Sequence, residues 1–416
     1  MDQEVKERIR GLEGELIALR RDFHAHPELG FEEYRTASIV EEYLRQLGLE
    51  TTRVAGTGVV ATLEGSRPGP VLLLRADLDA LPIQEANEVE YASTVDGVMH
   101  ACGHDAHTAI LLVAAKVLCG MREQLEGTVK FVFQPNEEIN GALVMVRDGV
   151  LENPAVDAGF ALHIWSQLPT GVVAATAGPV MGGMDVFHMT IHGQGGHTGF
   201  PEEARDPVIA AAAVVQTSQV VPTREISNLA PTTIMFGKIE GGTKSNIIPE
   251  EVRLEGTIRY LYDAGPEGPD HPVQRFQRVA TSICETYRCT VDFHFVRENL
   301  PLVNDPRMTK LARRAAERVV GEEHLTTMQT IASEDFSEFS SRVPCTYLFV
   351  GSGNPAKGTD IPHHNPCFNI DEDALPVAVE VFVETVLEYF RDQAARGQAR
   401  ASAYPNSNSE AAVVGM

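Results

Sequence analysis

The sequence predicts an α/β fold in two parts: a mainly parallel-sheet domain with helices on both faces, and an inserted ferredoxin-like α+β domain. Before residue 184, strand-like apolar runs alternate with helical patterns, which is typical of a parallel sheet. After residue 184 the order changes to strand, helix, strand, strand, helix, strand. That order is typical of one self-contained ferredoxin-like unit.

The first domain begins with a helical pattern over residues 3–47, which is interrupted at His26-Pro27 and ends at Gly48. The apolar runs that follow are bounded by turn residues, as strands are. These strands cover residues 58–64, 71–76, 128–134 and 158–165, with a helix at 106–118. After residue 300 the alternation of helical and strand patterns returns, with a helix at 306–320, a strand at 345–350 and a helix at 374–391.

The inserted unit has predicted strands at 185–193, 231–240, 251–260 and 290–296, with helices at 207–221 and 272–287. Its first strand alternates apolar and polar residues, as half-buried strands do. We therefore predict a first domain made of residues 1–183 and 299–396, with residues 184–298 inserted into it. Residues 397–416 are rich in alanine, serine and asparagine, and we predict a disordered tail there.

The composition excludes several classes of function. The 416 residues carry a formal net charge of −24, which argues against a nucleic-acid partner because phosphate backbones are bound by basic faces. Apolar runs such as 71–74 are far shorter than the roughly 20 residues of a membrane span. The charged N-terminal segment does not resemble a targeting signal, and the six cysteines lack framework spacing. We expect a cytoplasmic protein with reduced cysteines and no membrane contact.

Polar residues follow three of the predicted strands. Asp77 and Asp79 come after the strand at 71–76, Glu137 and Glu138 follow the strand at 128–134, and His163 lies near the end of the next strand. Ligands of open α/β sheets bind beyond the carboxyl ends of the strands. These side chains could therefore converge on one site.

Residues 99–107, Met-His-Ala-Cys-Gly-His-Asp-Ala-His, are dense in potential metal ligands. Gly103 allows a tight turn through which Cys102 and His104 could face one ion. Thiolate, imidazole and carboxylate groups suit zinc, and imidazole with carboxylate also suits manganese or cobalt. A buried cysteine among structural histidines is the alternative. Three histidines and a cysteine within eight residues make it the weaker interpretation.

Glu137 and Glu138 follow an apolar strand and a proline. Adjacent acids usually form a solvated loop. At a strand end, however, one carboxylate could bind a metal while the other takes a proton from the attacking water. A metal lowers the pKa of such a water to about 7, within reach of a carboxylate base.

Taken together, these segments resemble the aminoacylase/hippurate hydrolase branch of the binuclear metallopeptidases, over about residues 10–390. That branch includes plant auxin-conjugate hydrolases and bacterial N-acyl-amino-acid amidohydrolases. The motifs, in the family's order, are Arg20-Arg-Asp-Phe-His-Ala-His-Pro-Glu28, Arg75-Ala-Asp-Leu-Asp-Ala-Leu-Pro82, the segment 99–107, Phe133-Gln-Pro-Asn-Glu-Glu138, Leu162-His163, Gly195-Gly-His197, Gly242-Thr-Lys-Ser-Asn-Ile-Ile-Pro249, Ser333-Glu-Asp-Phe336 and His363-His-Asn-Pro-Cys-Phe368.

The resemblance implies two divalent ions (Mn²⁺, Zn²⁺ or Co²⁺) and places Glu137 at the general-base position. The implied metal ligands are Cys102, His104, Glu138, His163 and His364. Asp77 would orient a ligand rather than bind metal. His107 is left out of the ligand set, and His24 and His26 are interpreted as structural.

The inserted domain resembles the family's lid, which carries the dimer interface, so the resemblance implies a homodimer or higher homo-oligomer. In it, His197 matches the histidine that stabilises the oxyanion, often in the active site of the other subunit. Asn246 and Arg259 match positions that hold the substrate carboxylate. Asn136 departs from the family, since many relatives have a small residue there, and this could alter the pocket size.

The implied reaction is hydrolysis of the amide bond of N-acyl or N-aroyl amino acids, with a dipeptidase or carboxypeptidase of the same metal type as the alternative. Two other hypotheses stay open. A cysteine hydrolase could use Cys102 with His104 or His107, although residues so close in sequence rarely attain in-line geometry. A non-enzymatic binding protein with a two-domain cleft would need neither metal nor base.

Overall fold

The computed structural model of the protein describes residues 3–265, 268 and 270–403. Its helices are α1 Gln3–Arg10, α2 Glu13–Ala25, α3 Tyr34–Gln46, α4 His104–Cys119, α5 Gly141–Arg147, α6 Pro207–Thr217, α7 Pro272–Thr286, α8 Pro306–Val320, α9 Ser337–Ser340 and α10 Ala374–Ala403. Its strands are β1 Thr51–Val54, β2 Gly58–Glu64, β3 Val71–Asp77, β4 Thr128–Gln134, β5 Ala158–Pro169, β6 Val173–Ala174, β7 Gly178–Met181, β8 Gly183–His192, β9 Gly196–His197, β10 Thr232–Gly241, β11 Ile247–Ile248, β12 Glu251–Tyr260, β13 Thr290–Asn299, β14 Leu302–Asn304, β15 Leu325–Thr326 and β16 Cys345–Gly353.

An eight-stranded sheet forms the larger part of the fold, in the order β1-β2-β4-β3-β5-β16-β6-β15. The central strands β4, β3, β5 and β16 pair in parallel. Every residue of β3 is buried, because helices cover both faces of the sheet and leave no polar side. The predicted α/β class with a mainly parallel sheet is therefore confirmed.

Two apolar clusters pack on opposite faces of this sheet. Leu72 and Leu74 of β3 join the larger cluster, which contains the buried faces of α2, α4 and α10. Val71 and Leu73, which alternate with them, join the smaller cluster with α5 and α9. Because successive strand residues point to opposite faces, one apolar run supplies both cores.

A second, four-stranded antiparallel sheet has the order β10-β12-β8-β13. Its side chains alternate between buried and partly exposed along β8, and its own apolar cluster includes residues of α6 and α7. The elements follow in the order βαββαβ. That this unit acts as a lid, and that the domain boundaries lie at 184 and 298, stay predictions.

Several element ends differ from the sequence prediction. The last helix continues to Ala403 rather than ending at residue 391, because the added stretch is rich in the helix formers alanine, arginine and glutamine. The predicted disordered tail was therefore placed too early for residues 397–403. Residues 404–416, the rest of that tail, lie outside the described residues. Within the described ranges, no helix is both long and apolar enough to cross a membrane.

Candidate active site

The polar strand ends meet at one edge of the large sheet. Asp77 at the end of β3 pairs with Gln134 at the end of β4. On the other side of β3 lies β5, in which His163 pairs with Phe349 of β16. Since these strands are parallel, their carboxyl ends face the same way. The predicted convergence at the sheet edge is what the structure shows.

Cys102 and His104 stand at the start of α4, separated by a glycine with a left-handed backbone. Gly103 has φ of 94°, a conformation that side chains disfavour. His104 Nδ1 lies 2.9 Å from the carbonyl oxygen of Asp79, so it donates its proton there. His104 Nε2 is buried and, among the described residues, has no hydrogen-bond partner.

The second ring nitrogen of His163 lies next to the thiol of Cys102. Its Nδ1 donates to the carbonyl of Ile164 at 2.6 Å, and its Nε2 lies 3.5 Å from Cys102 Sγ. Burial and the nearby His107 and His363 hold the pKa of His163 well below its usual value. The ring is neutral, which is the form that binds metal.

His107, by contrast, has both ring nitrogens engaged by the protein. Nδ1 donates to Asp77 at 2.6 Å, and Nε2 accepts from the backbone N–H of Ile164 at 2.9 Å. Asp77 therefore orients His107 rather than pointing a free oxygen at the candidate ligands. His107 in turn holds the backbone of β5 next to His163.

A short turn presents the two glutamates. Asn136 before it and Asn140 after it both have positive φ, a conformation that asparagine tolerates better than most residues. The carboxylate of Asp79 accepts the backbone N–H groups of Glu137 and Glu138 at 3.0 and 3.1 Å. Asp79 therefore fixes both this turn and, through its carbonyl, His104.

Five groups of described side chains have ligand atoms that lie within 4.8 Å of one another, and two of these groups share Cys102: Cys102, His104 and His163, and Cys102, Glu138 and His364. Together these two groups are the five ligands that the resemblance implied. Glu138 Oε1 lies 3.2 Å from His364 Nε2. The unpartnered nitrogen of His104 and this donor set of thiol, imidazoles and carboxylate fit two adjacent transition-metal or zinc ions.

Glu137 is a buried carboxylate among other carboxylates. Burial, together with Glu334, Glu138 and Asp335, raises its pKa well above the usual value. A raised pKa suits a group that must accept and then release a proton. Cations at the neighbouring ligands would lower it again.

Arg75 compensates the negative charge of these buried carboxylates. Its guanidinium is fully buried and donates to Asp77 at 2.6 Å, Glu334 at 2.9 Å and Asp335 at 3.0 Å. Gln134 also donates to Asp335, and the Asp335 N–H lies 3.4 Å from Glu137 Oε1. The general-base candidate therefore rests on a network that contains one buried cation.

A cavity of about 430 Å³ lies beside these groups. Its lining includes Glu137 and, from the second sheet, Arg259. His197 and Asn246 line a different groove, in which His197 pairs with Ile247 and is exposed. The structure therefore brings Arg259 to the candidate metal ligands of its own chain, but not His197 or Asn246.

Sequence reasoning missed three groups at this site. It singled out neither Asp79 as the support of the glutamate turn nor the ion pairs of Arg75 with Glu334 and Asp335. It also missed Trp165 in the cavity wall. Their motifs were visible, but partners so distant in sequence have no local signal.

Cys102 is poorly suited to act as a nucleophile. Burial and Glu138 raise the pKa of its thiol, although His104 and His364 act in the opposite direction. A nucleophilic cysteine needs a depressed pKa, so the environment disfavours a cysteine hydrolase. A bound cation would instead stabilise the thiolate as a ligand.

Comparisons with known proteins agree with this geometry. Residues 73–388 match the model of peptidase family M20/M25/M40. The chain is 38% identical to the N-acetylcysteine deacetylase of Bacillus subtilis over 89% of this chain and 95% of the relative. It is 37% identical to thermostable carboxypeptidase 1 of Saccharolobus solfataricus over 90% and 95%.

A similar solved structure is the YXEP protein of Bacillus subtilis, described as a dinuclear metal-binding peptidase from the M20 family. It is 33% identical, with a TM-score of 0.81 over 92% of this chain and 99% of that one. The chain therefore belongs to peptidase family M20/M25/M40 and is a metal-dependent amidohydrolase.

Proposed function

We propose that the enzyme hydrolyses the amide bond of N-acyl or N-aroyl amino acids and releases a carboxylic acid and a free amino acid. The observation that carries this proposal is Arg259. It donates to the Ile331 carbonyl at 3.3 Å and the Ser333 hydroxyl at 3.1 Å, but none of the described acidic side chains forms an ion pair with it. A half-buried cation that lines the same cavity as the general-base candidate suits a substrate with a free carboxylate.

In this proposal Cys102, His104, Glu138, His163 and His364 hold two divalent ions, of manganese, zinc or cobalt. When bound, the ions polarise the scissile carbonyl and lower the pKa of the attacking water. Glu137 takes the proton from that water and later delivers it to the leaving amine. Arg259 holds the substrate carboxylate and so aligns the amide with Glu137.

His197 and Asn246 fit a role in a second copy of the chain. His197 is exposed, its Nδ1 accepts the Gly199 N–H at 2.9 Å, and its Nε2 is left to act outside its own subunit. We infer a homodimer, or a larger homo-oligomer, formed through the predicted lid. There His197 stabilises the oxyanion and Asn246 contacts the substrate carboxylate.

A carboxypeptidase or dipeptidase of the same metal type is the second candidate, since one of the relatives is named a carboxypeptidase. A dipeptide carries an α-ammonium group, which needs a free carboxylate nearby. Of the described acids lining the cavity, Glu137 and Glu138 have other roles. Glu334 is engaged by Arg75 and Tyr347. This favours an uncharged acyl group.

The test is to compare N-acetyl-leucine and N-benzoyl-leucine with glycyl-leucine after loading with Mn²⁺, Zn²⁺ or Co²⁺. Hydrolysis of the acylated amino acids at a kcat/KM at least tenfold above the dipeptide supports the proposal. Faster hydrolysis of the dipeptide would support the peptidase instead. A strong chelator should abolish the activity, and added metal should restore it.

A further inference from the structure

We propose that the two halves of the substrate bind against chemically different walls of the cavity, so that the enzyme selects aromatic acyl groups joined to apolar amino acids. The acyl wall is Trp165 with His363, and the amino-acid wall is Met181 with Met184. This inference rests on the proposed function and specifies its substrate class.

The acyl wall begins at a candidate metal ligand. Trp165 follows His163 by two residues in β5, so both side chains leave the strand on the same side. Their ring centroids lie 5.5 Å apart. His363 lies 5.2 Å from His163 and 4.6 Å from Trp165, tilted by 35° from the indole plane. The carbonyl that reaches the ligands therefore places its acyl group beside two aromatic rings.

The amino-acid wall begins at the candidate carboxylate anchor. Met184 of β8 pairs directly with Arg259 of β12. Side chains opposite each other on antiparallel strands lie about 4.5–5.5 Å apart at Cβ. A substrate whose carboxylate binds Arg259 has its α-carbon one bond away, so its side chain meets Met184. Met181 lies in the same cavity lining.

The two walls differ in what they accept. Flat aromatic acyl groups can stack on the indole, whereas a methyl group leaves most of that surface uncovered. Thioether side chains are flexible and polarisable, so they adapt to apolar chains of several shapes. Both walls lack charged groups, and a charged amino-acid side chain buried there would lose its hydration without a partner.

The contributions of the two walls can be distinguished by measuring two selectivity ratios. We would measure kcat/KM for N-acetyl and N-benzoyl derivatives of leucine and alanine with the metal-loaded enzyme. Trp165→Leu should lower the benzoyl-to-acetyl ratio roughly tenfold, and Met184→Ala should lower the leucine-to-alanine ratio by a similar factor. Each variant should leave the other ratio unchanged, and Trp165→Phe should retain most of the acyl selectivity.

Equal changes in both ratios, or an exchange of the two effects, would overturn the assignment of the walls. If the wild-type enzyme hydrolyses none of the four substrates, the proposed function itself fails. If the enzyme hydrolyses these substrates but both variants keep the wild-type ratios, the proposed function stands and the assignment of the two walls fails.

Fluorescence gives a readout that does not depend on turnover, because Trp165 is the chain's single tryptophan. In the metal-loaded Glu137→Gln variant, N-benzoyl-leucine should change the emission strongly at saturation, and N-acetyl-leucine should change it little. Adding Met184→Ala should preserve the response to the benzoyl group. An identical response to both ligands would contradict contact between the acyl group and Trp165.

Discussion

The acidic residues beneath the candidate metal ligands are buried, and their burial determines their charge and their pKa. Glu137, Glu334 and Asp335 bring carboxylate oxygens within 4.8 Å of one another, and the buried cation Arg75 pairs with Glu334 and Asp335. Such a cluster is stable only while its charges are compensated. The same crowding keeps Glu137 ready to accept a proton.

Replacing Glu137 by glutamine should abolish turnover while the metals stay bound. The amide keeps the shape of the side chain but cannot take a proton from water, so we expect kcat to fall by about 10²–10⁴. Glu138→Gln is the matched comparison, and it should lose metal as well as activity. Metal analysis of both purified variants makes the distinction, and an active Glu137→Gln enzyme would refute the assigned base.

Replacing Arg75 by methionine should destabilise the fold strongly. It leaves buried carboxylates without their cation, which costs about 3–5 kcal/mol in comparable cases. Arg253→Met is the control, because the exposed pair of Arg253 with Glu251 should contribute roughly 0–1 kcal/mol. Urea denaturation of both variants measures the difference, and equal midpoints would contradict the role assigned to Arg75.

The sequence predicted the metal-ligand side chains of this site better than it predicted the residues that position them. A thiol, imidazoles and paired acids indicate a metal site by their residue types alone. Asp79, Glu334 and Asp335 act through backbone groups and through partners more than fifty residues away, and nothing in a local pattern reveals such pairs.

At the scale of elements, the start of α4 is held by two independent constraints. Gly103 provides the turn between Cys102 and His104, and an ion cluster joins α2 to the first turn of the helix. In that cluster Asp105 accepts from Arg20 at 2.9 Å and from His24 at 2.7 Å, and all three side chains are buried.

Gly103→Ala should weaken metal binding. A Cβ at this position has room, since its nearest neighbour would be 3.8 Å away, but the left-handed backbone costs about 1–2 kcal/mol. The backbone should relax and separate Cys102 from His104. Gly14→Ala in α2 makes the same chemical change without that strain and should bind metal normally. Metal titration of both variants tests this, and identical affinities would refute it.

His24 should make stability depend on pH. Burial and Arg20 lower its pKa, but Asp105 and Glu85 outweigh them and raise it above the ordinary value. A raised folded pKa means that the contribution of the charged ring is full below the unfolded pKa of about 6.5 and is lost as pH rises through the folded pKa. His24→Asn should therefore cost more stability at pH 6 than at pH 9.

Denaturation midpoints at the two pH values measure that cost, and His324→Asn on the surface serves as the control. A cost for His24→Asn that is the same at both pH values would show that folding does not raise the pKa of His24. The N-terminal motif was interpreted as structural from sequence. The contacts of His24 and Arg20 with Asp105 give it a physical role next to His104.

For the whole molecule, long buried strands were predictable and short ones were not. β3 and β4 are mostly apolar and are buried over nearly their whole length, because both of their faces are covered. β6 and β15 have two residues each and pair with distant parts of the chain, so their sequences show no period. The placement of His197 away from the metal ligands likewise depends on how the two sheets are arranged.

Mixing inactive variants should restore activity if two subunits share each site. Glu137→Gln and His197→Ala are each expected to be inactive as homodimers. Unfolding and refolding them together should recover roughly a quarter of wild-type activity, because half of the dimers are mixed and each has one intact site. Light scattering measures the mass of the oligomer, and a monomer with full activity would refute the shared site.

The chain leaves and rejoins the large sheet at neighbouring points. Met184, at the start of β8, pairs with Asn299, at the end of β13, and Gly183 approaches Pro301 so closely that a Cβ would lie 2.8 Å from it. All five candidate ligands and Glu137 lie outside this excursion, whereas Arg259 and Met184 lie within it. The residues proposed to hold the metal and to take the proton are therefore encoded in the two flanking stretches of sequence, whereas the proposed contacts with the substrate carboxylate and the oxyanion are encoded in the stretch between them.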